Sequence, residues 1–229
     1  MLINELTPEK LAKMMDHTYL KAFGVRADIE KLCKEAVENG FAAAMVNSCQ
    51  VKLCKKLLAG SDVKTASVVA FPLGQMSIKM KACEAKQAIE DGAEEIDYVL
   101  NIGELKMGNY DYIREEMDTM VKLCRDSKAL CKVIFENCYL TRDEIKRAAE
   151  IAGEVRPDFI KTSTGFGTGG AISGDVRLMK ETVGDAVKVK ASGGIRTWES
   201  CREMIEAGAE RIGTSSGVEI IRGFKEDQV

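Results

Sequence analysis

Lys161 is the residue of this chain whose position most directly suggests chemistry. It lies in Asp158-Phe-Ile-Lys-Thr-Ser-Thr-Gly165. Phe159 and Ile160 favour a strand, and Pro157 suits its start. A loop rich in small residues follows, from Ser163 to Gly170. Lysine in an apolar strand is costly unless its charge is lost or compensated. A desolvated lysine has a lowered pKa and becomes an amine able to form a Schiff base. The plain alternative is a lysine that snorkels from an edge strand to water. Three more charged residues fall in comparable runs: Asp97 in Glu94-Glu-Ile-Asp97, Lys132 in Lys132-Val-Ile-Phe-Glu136, and Lys190 in Val187-Lys-Val-Lys190. Two amines and a carboxylate brought together could move protons around an imine.

Such residues need elements to position them. Apolar runs of strand length occur at Asp16–Leu20, Phe41–Val46, Thr65–Ala70, Glu94–Leu100, Leu130–Glu136, Asp158–Thr162, Val187–Ala191 and Ala209–Thr214. Amphipathic stretches separate them, with glycines such as Gly40, Gly92 and Gly208 as stops. Thr7-Pro8 opens an extra helix before the first strand, and Thr141-Arg-Asp-Glu144 is a capping box. Strands alternating with helices predict an α/β fold with a parallel sheet, and eight such units predict a closed (β/α)8 TIM barrel. No linker interrupts residues 1–229, so one barrel domain is expected. An open doubly wound sheet would call for a G-x-G-x-x-G after an early strand, and there is none.

Barrel strands alternate between the helix side and the interior. That parity turns Asp97, Lys132, Glu136, Lys161 and Lys190 inward. Lys161 and Lys190 fall on adjacent strands, ~5 Å apart at the backbone, and two ammonium groups that close lower at least one pKa. Lys188 shares the inward parity and has no account beyond a strand that starts later. Small-residue turns follow the last strands: Gly165, then Gly193-Gly194, then Gly213 with Ser215-Ser216. Turns of this kind at helix N-termini suit a phosphate.

Composition narrows the remaining possibilities. Charged residues make up 30% of the chain, with a net charge of -3 and both signs interleaved, so a nucleic-acid partner is not expected. No apolar run approaches the ~20 residues of a membrane span, and Met1 to Pro8 lacks the pattern of a signal peptide. Eight cysteines without a CxxC pair suggest free thiols in a reducing cytoplasm. A single histidine, His17, leaves little for a zinc site, and no metal is expected.

These residues resemble the deoxyribose-phosphate aldolase family. The matching stretches are Asp16-His-Thr-Tyr-Leu20, Phe71-Pro-Leu-Gly74, Gly92-Ala-Glu-Glu-Ile-Asp97, Lys132-Val-Ile-Phe-Glu136, Asp158 to Gly165, Lys190-Ala-Ser-Gly-Gly-Ile-Arg196 and Gly213-Thr-Ser-Ser216. The resemblance implies a class I aldolase that cleaves 2-deoxy-D-ribose 5-phosphate to glyceraldehyde 3-phosphate and acetaldehyde, in deoxyribonucleoside catabolism. It implies that Lys161 forms the Schiff base, that Lys190 perturbs its pKa and assists proton transfer, and that Asp97 shuttles protons. Lys132, Asp16, Thr18 and Thr164 would support them. Gly165, Gly193, Gly194, Gly213, Ser215 and Ser216 would hold the phosphate. The resemblance implies no cofactor, a small sugar-phosphate as the only partner, and a homodimer. Another class I aldolase of the transaldolase kind would keep the lysine, and a non-catalytic sugar-phosphate-binding barrel would keep only the glycine turns. The chain departs from the family at Met45, Ser48 and Ala70, which are expected on the pocket wall. It has no tyrosine after Tyr139, and its polar last residues read as a frayed terminus.

Overall fold

A computed structural model describes residues 3–228. Eight parallel strands close into a barrel in chain order: Met15–Thr18 (β1), Ala43–Val46 (β2), Lys64–Val69 (β3), Glu95–Val99 (β4), Leu130–Ile134 (β5), Phe159–Lys161 (β6), Lys188–Ser192 (β7) and Arg211–Thr214 (β8). The extra helix Pro8–Ala12 (α1) precedes them. The others are Arg26–Asn39 (α2), Val51–Leu57 (α3), Ile78–Glu90 (α4), Ile102–Lys106 (α5), Tyr110–Asp126 (α6), Arg142–Val155 (α7), Ser173–Val183 (α8), Trp198–Glu206 (α9) and Gly217–Asp227 (α10). None of these helices is long and apolar enough to cross a membrane.

The local signals act as expected at most ends. Thr7 accepts the Lys10 N–H with Pro8 in the first turn, and Thr141 and Glu144 cap α7 reciprocally. Helix α5 is additional to the eight strand–helix units: Asn101 accepts the Glu104 N–H and opens a short helix after β4.

One expectation is met and one is corrected. Lys188 opens β7 at the amino-terminal mouth, where its exposed ammonium lies 5.7 Å from the centre of the Phe159 ring and needs no buried partner. The chain's last residues are not frayed as far as Asp227: they form α10, whose Phe224 is buried edge-on against Trp198 at 4.8 Å. Asp227 accepts the Trp198 indole N–H at 3.0 Å. The polar letters hid an apolar stripe of Ile220, Ile221 and Phe224.

The apolar core has two parts. The larger lies between sheet and helices. The smaller is inside the barrel, where Ala43, Met45, Ala66 and Val68 pack with Leu20. Thus β2 and β3 fill one side of the interior with apolar groups, and the remaining strands bring charge to the other side. Register aligns the charges: Asp97 pairs with Lys132, Ile134 with Lys161, Lys161 with Lys190, and Lys190 with Arg211.

Polar side chains on the helices complete the strand ends near this charge. Lys81 on α4 donates to the Val99 carbonyl at 2.7 Å and pairs with Glu116 of α6 at 2.6 Å, both fully buried. Glu116 accepts the Asn101 N–H at 2.9 Å. Glu84 accepts the Ala70 N–H at 2.9 Å and the Ser48 hydroxyl at 3.0 Å. A buried backbone group without a partner is costly, so these contacts hold the carboxyl ends of β3 and β4 where their loops depart.

Candidate active site

Parity along each strand brings Lys161, Lys190, Lys132, Asp97 and Asp16 into one cage. All are buried. The Lys161 Nζ donates to Asp97 Oδ2 at 2.9 Å, and the Lys190 Nζ donates to the same oxygen at 2.7 Å. Lys190 also donates to Asp16 Oδ2. Lys132 Nζ lies 2.6 Å from both Asp97 Oδ1 and Glu95 Oε2, and 3.5 Å from Asp16 Oδ2. Arg211 closes the far side, with Nη1 2.6 Å from Asp16 Oδ1 and 3.2 Å from Glu95 Oε2.

The electrostatics separate the groups by role. Burial pushes the Lys161 ammonium down to about 8; Asp97 opposes the shift, and Lys190 and Lys132 reinforce it. Burial favours the neutral acid of Asp97, but Lys132, Lys161 and Lys190 outweigh it and hold the carboxyl well below its usual range. Asp16 is held low in the same way by Lys190, Lys132 and Arg211. Burial also works against the Lys132 charge, yet Asp97, Glu95 and Asp16 raise its pKa above the ordinary lysine value. Near neutral pH, therefore, Lys161 can supply a free amine, and an ionised carboxylate stands beside it to exchange protons.

Lys161 forms part of the floor of a cavity of about 670 Å³, and Thr18, Thr164, Gly165, Gly193, Gly194, Gly213 and Ser215 line it. Asp97, Lys190, Lys132 and Asp16 lie beneath that floor rather than on the wall. Ser216 is not on the wall either, and its N–H donates to Thr214 Oγ1 at 2.9 Å. Thr18 Oγ1 donates to the Asp16 carbonyl at 2.8 Å. Glu136 leaves the barrel interior in a left-handed turn, with φ 59°, and accepts from the Thr164 N–H at 3.1 Å and from its hydroxyl. It thereby fixes the loop that follows Lys161.

The glycines fall into two kinds. Gly193 and Gly194 adopt φ of 86° and 80°, which side-chain-bearing residues rarely take, and a Cβ on Gly193 would sit 3.0 Å from the Gly170 Cα. The loops after β6 and β7 therefore touch. Gly213 has no such turn. A Cβ there would lie 2.9 Å from the Ser192 Cβ and 3.0 Å from the Lys190 Cε. Its missing side chain makes room for the lysine.

Sequence reading missed Arg211 and Glu95. Both share the inward parity of Asp97 and Lys190, so the same rule finds them once strand ends are known. His17 points outward, within 2.8 Å of the Glu35 carboxylate. Met45, Ser48 and Ala70, expected on the pocket wall, do not line the cavity. Met45 fills the inner core, while Ser48 and Ala70 are held by Glu84 outside the barrel.

Known proteins resemble this chain over nearly its whole length. Residues 10–223 match the model of the DeoC/LacD family aldolases. A deoxyribose-phosphate aldolase of Lactobacillus acidophilus is 53% identical over 219 residues, covering 96% of this chain and 92% of that protein. One from Thermococcus gammatolerans is 54% identical over 217 residues, covering 94% and 96%. Among solved structures, the tetrameric deoxyribose phosphate aldolase of Aeropyrum pernix superposes with a TM-score of 0.90 at 32% identity, covering 97% of this chain and 94% of that one. With a closed eight-stranded barrel and a desolvated lysine at the floor of its cavity, the chain belongs to the DeoC/LacD family of aldolases.

Proposed function

We propose that this aldolase cleaves 2-deoxy-D-ribose 5-phosphate reversibly to D-glyceraldehyde 3-phosphate and acetaldehyde, through an imine on Lys161. The observation that carries the reading is the single Asp97 oxygen shared by the Lys161 and Lys190 ammonium groups. The neutral Lys161 amine adds to the aldehyde carbon of the open-chain sugar, and the carbinolamine loses water to give the imine. Removal of the C3 hydroxyl proton breaks the C2–C3 bond and releases glyceraldehyde 3-phosphate. The electron pair stays on the enamine, which takes a proton at C2. Water then frees acetaldehyde and restores Lys161. Asp97 receives and returns these protons, with Lys190 as the neighbouring acid, and Lys132 and Asp16 hold both in place.

The phosphate is bound by Gly165, Gly193, Gly194 and Ser215 along the cavity wall, and Arg196 on the same wall adds a counter-charge. For Gly213 the packing against Lys190 supports a structural role in place of the expected phosphate contact. All eight cysteines are unpaired, which supports a reducing compartment such as the cytoplasm. The tetrameric state of the Aeropyrum pernix protein supports self-association here, with a dimer as the smallest unit; sedimentation would measure it.

The direct test is to mix the protein with 2-deoxy-D-ribose 5-phosphate and follow acetaldehyde with a coupled reductase. Borohydride in the presence of acetaldehyde should stop the reaction and leave a two-carbon adduct on Lys161. An adduct on another lysine, or none, would overturn the assignment.

A further inference from the structure

The cage contains two charged residues that neither touch Lys161 nor line the cavity. Arg211 and Glu95 contact each other, and each contacts a residue that reaches the reacting centre: Arg211 holds Asp16, and Glu95 holds Lys132. Counting the buried groups is informative. Three carboxylates, Asp16, Glu95 and Asp97, face four cations, Lys132, Lys161, Lys190 and Arg211. Among the described residues two further lysines share the inward parity, both exposed at the amino-terminal mouth: Lys188, beside the Phe159 ring, and Lys64, paired with Glu94. The buried inward residues of β2 and β3 are the apolar Ala43, Met45, Ala66 and Val68. Glu136, after β5, is engaged by Thr164. The charged groups along the cavity wall are Lys21, Asp28, Lys31, Glu35 and Arg196, with His17 tied to Glu35.

We propose that Arg211 and Glu95 are positioning residues whose opposite charges set the protonation state of Lys161: four cations face three carboxylates, and Lys161, which shares its one Asp97 oxygen with Lys190, is the cation that yields the excess charge. The inference rests on the reading of Lys161 as the amine that forms the imine. In a water-poor interior an unbalanced charge is expensive, and the cage removes the imbalance by releasing the proton of the lysine that is closest to solvent. Lys161 is 3% exposed, whereas Lys132 and Lys190 are fully buried. The cage predicts shifts of opposite sign. Without the Arg211 charge, the remaining cations no longer balance the carboxylates, so Lys161 keeps its proton to higher pH. Without the Glu95 charge, the excess of cations grows, so Lys161 loses its proton at lower pH.

The test measures the rate at which acetaldehyde and cyanoborohydride label Lys161 as a function of pH, read site by site by mass spectrometry. In Arg211→Gln the midpoint should move up by about half a pH unit, and in Glu95→Gln down by about the same, less than for a touching charge because each acts across a second residue. The double variant, neutral in sum, should return to the parent midpoint. A purely structural role for the pair would not give opposite shifts that cancel. Midpoints that stay, move the same way, or fail to cancel would overturn the proposal. If Arg211→Gln does not fold, Glu95→Gln against the double variant still decides it, because the double must move back up. Loss of labelling at Lys161 in the parent itself would instead overturn the imine assignment on which the inference rests.

Discussion

Replacing Lys190 with leucine tests the electrostatic argument most directly, because both lysines donate to one oxygen of Asp97. Those two contacts, 2.9 and 2.7 Å, keep the nitrogens close together. Two unit charges about 5 Å apart repel by about 3 kcal/mol at an effective dielectric of about 20, which is about two pKa units. Burial and its neighbours place the Lys161 pKa at about 8, so the neutral amine is about one tenth of the total at pH 7. Losing the neighbour raises that pKa toward about 10, where the neutral fraction at pH 7 is about one thousandth. The expected result is a fall of about 100-fold in kcat/KM at pH 7, with an acidic limb displaced by about two units. Raising the pH should recover most of this loss. Any deficit that remains at the plateau measures proton transfer by Lys190 itself. The assay is kcat/KM for acetaldehyde release between pH 5 and 10, since that ratio reports the free enzyme. An acidic limb at the parent position would refute the reasoning, whatever happens to the plateau. Lys190→Arg, which keeps the charge but not the proton donor, should depress the plateau without moving the limb.

Other outcomes follow from the same geometry. Lys161 is depressed from 10.5 to about 8, so the unfolded chain binds more protons in that window and stability should rise with pH from about 8 to 10.5. Below that window burial of the charged form costs on the order of 3 kcal/mol, so Lys161→Met should abolish activity yet raise Tm at pH 7 by several degrees; a lower Tm would contradict it. Asp97→Asn should abolish turnover and exchange of the acetaldehyde methyl protons in deuterated water, and preserved exchange would remove Asp97 from the proton path. Deleting residues 224–229 removes the buried Phe224 and should cost about 3–5 kcal/mol, seen as a lower urea midpoint, while deleting 228–229 should leave both stability and exchange unchanged. In Gly213→Ala the new methyl meets the Lys190 Cε, so kcat should fall about tenfold or more with little change in KM; a pure KM effect would return Gly213 to the phosphate site.

How much of this could be read before any coordinates depends on the range over which each signal acts. Alternation along a strand is local, and it turned Asp97, Lys132, Lys161 and Lys190 inward correctly from the letters alone. Helix caps are local too: Thr7, Gly40 and the Thr141–Glu144 box lie where expected. The count of eight strand–helix units led directly to the closed barrel, because parallel strands need helical crossovers and eight close on themselves. What the letters could not carry is which atoms meet across the interior. Asp97 joins Lys161 from β4 to β6, and Arg211 joins Asp16 from β8 to β1, contacts that exist only because the sheet closes. Gly213 read as a phosphate turn, and the letters gave no sign that a Cβ there would meet the Lys190 Cε, a constraint that only the packing of β7 against β8 reveals. The tail read as frayed because a polar composition conceals a helical apolar stripe until something packs against it, here Trp198 against Phe224. The amino-acid order thus determined which side chains face inward, and barrel closure decided which of their charges would meet and which lysine would be left free to react.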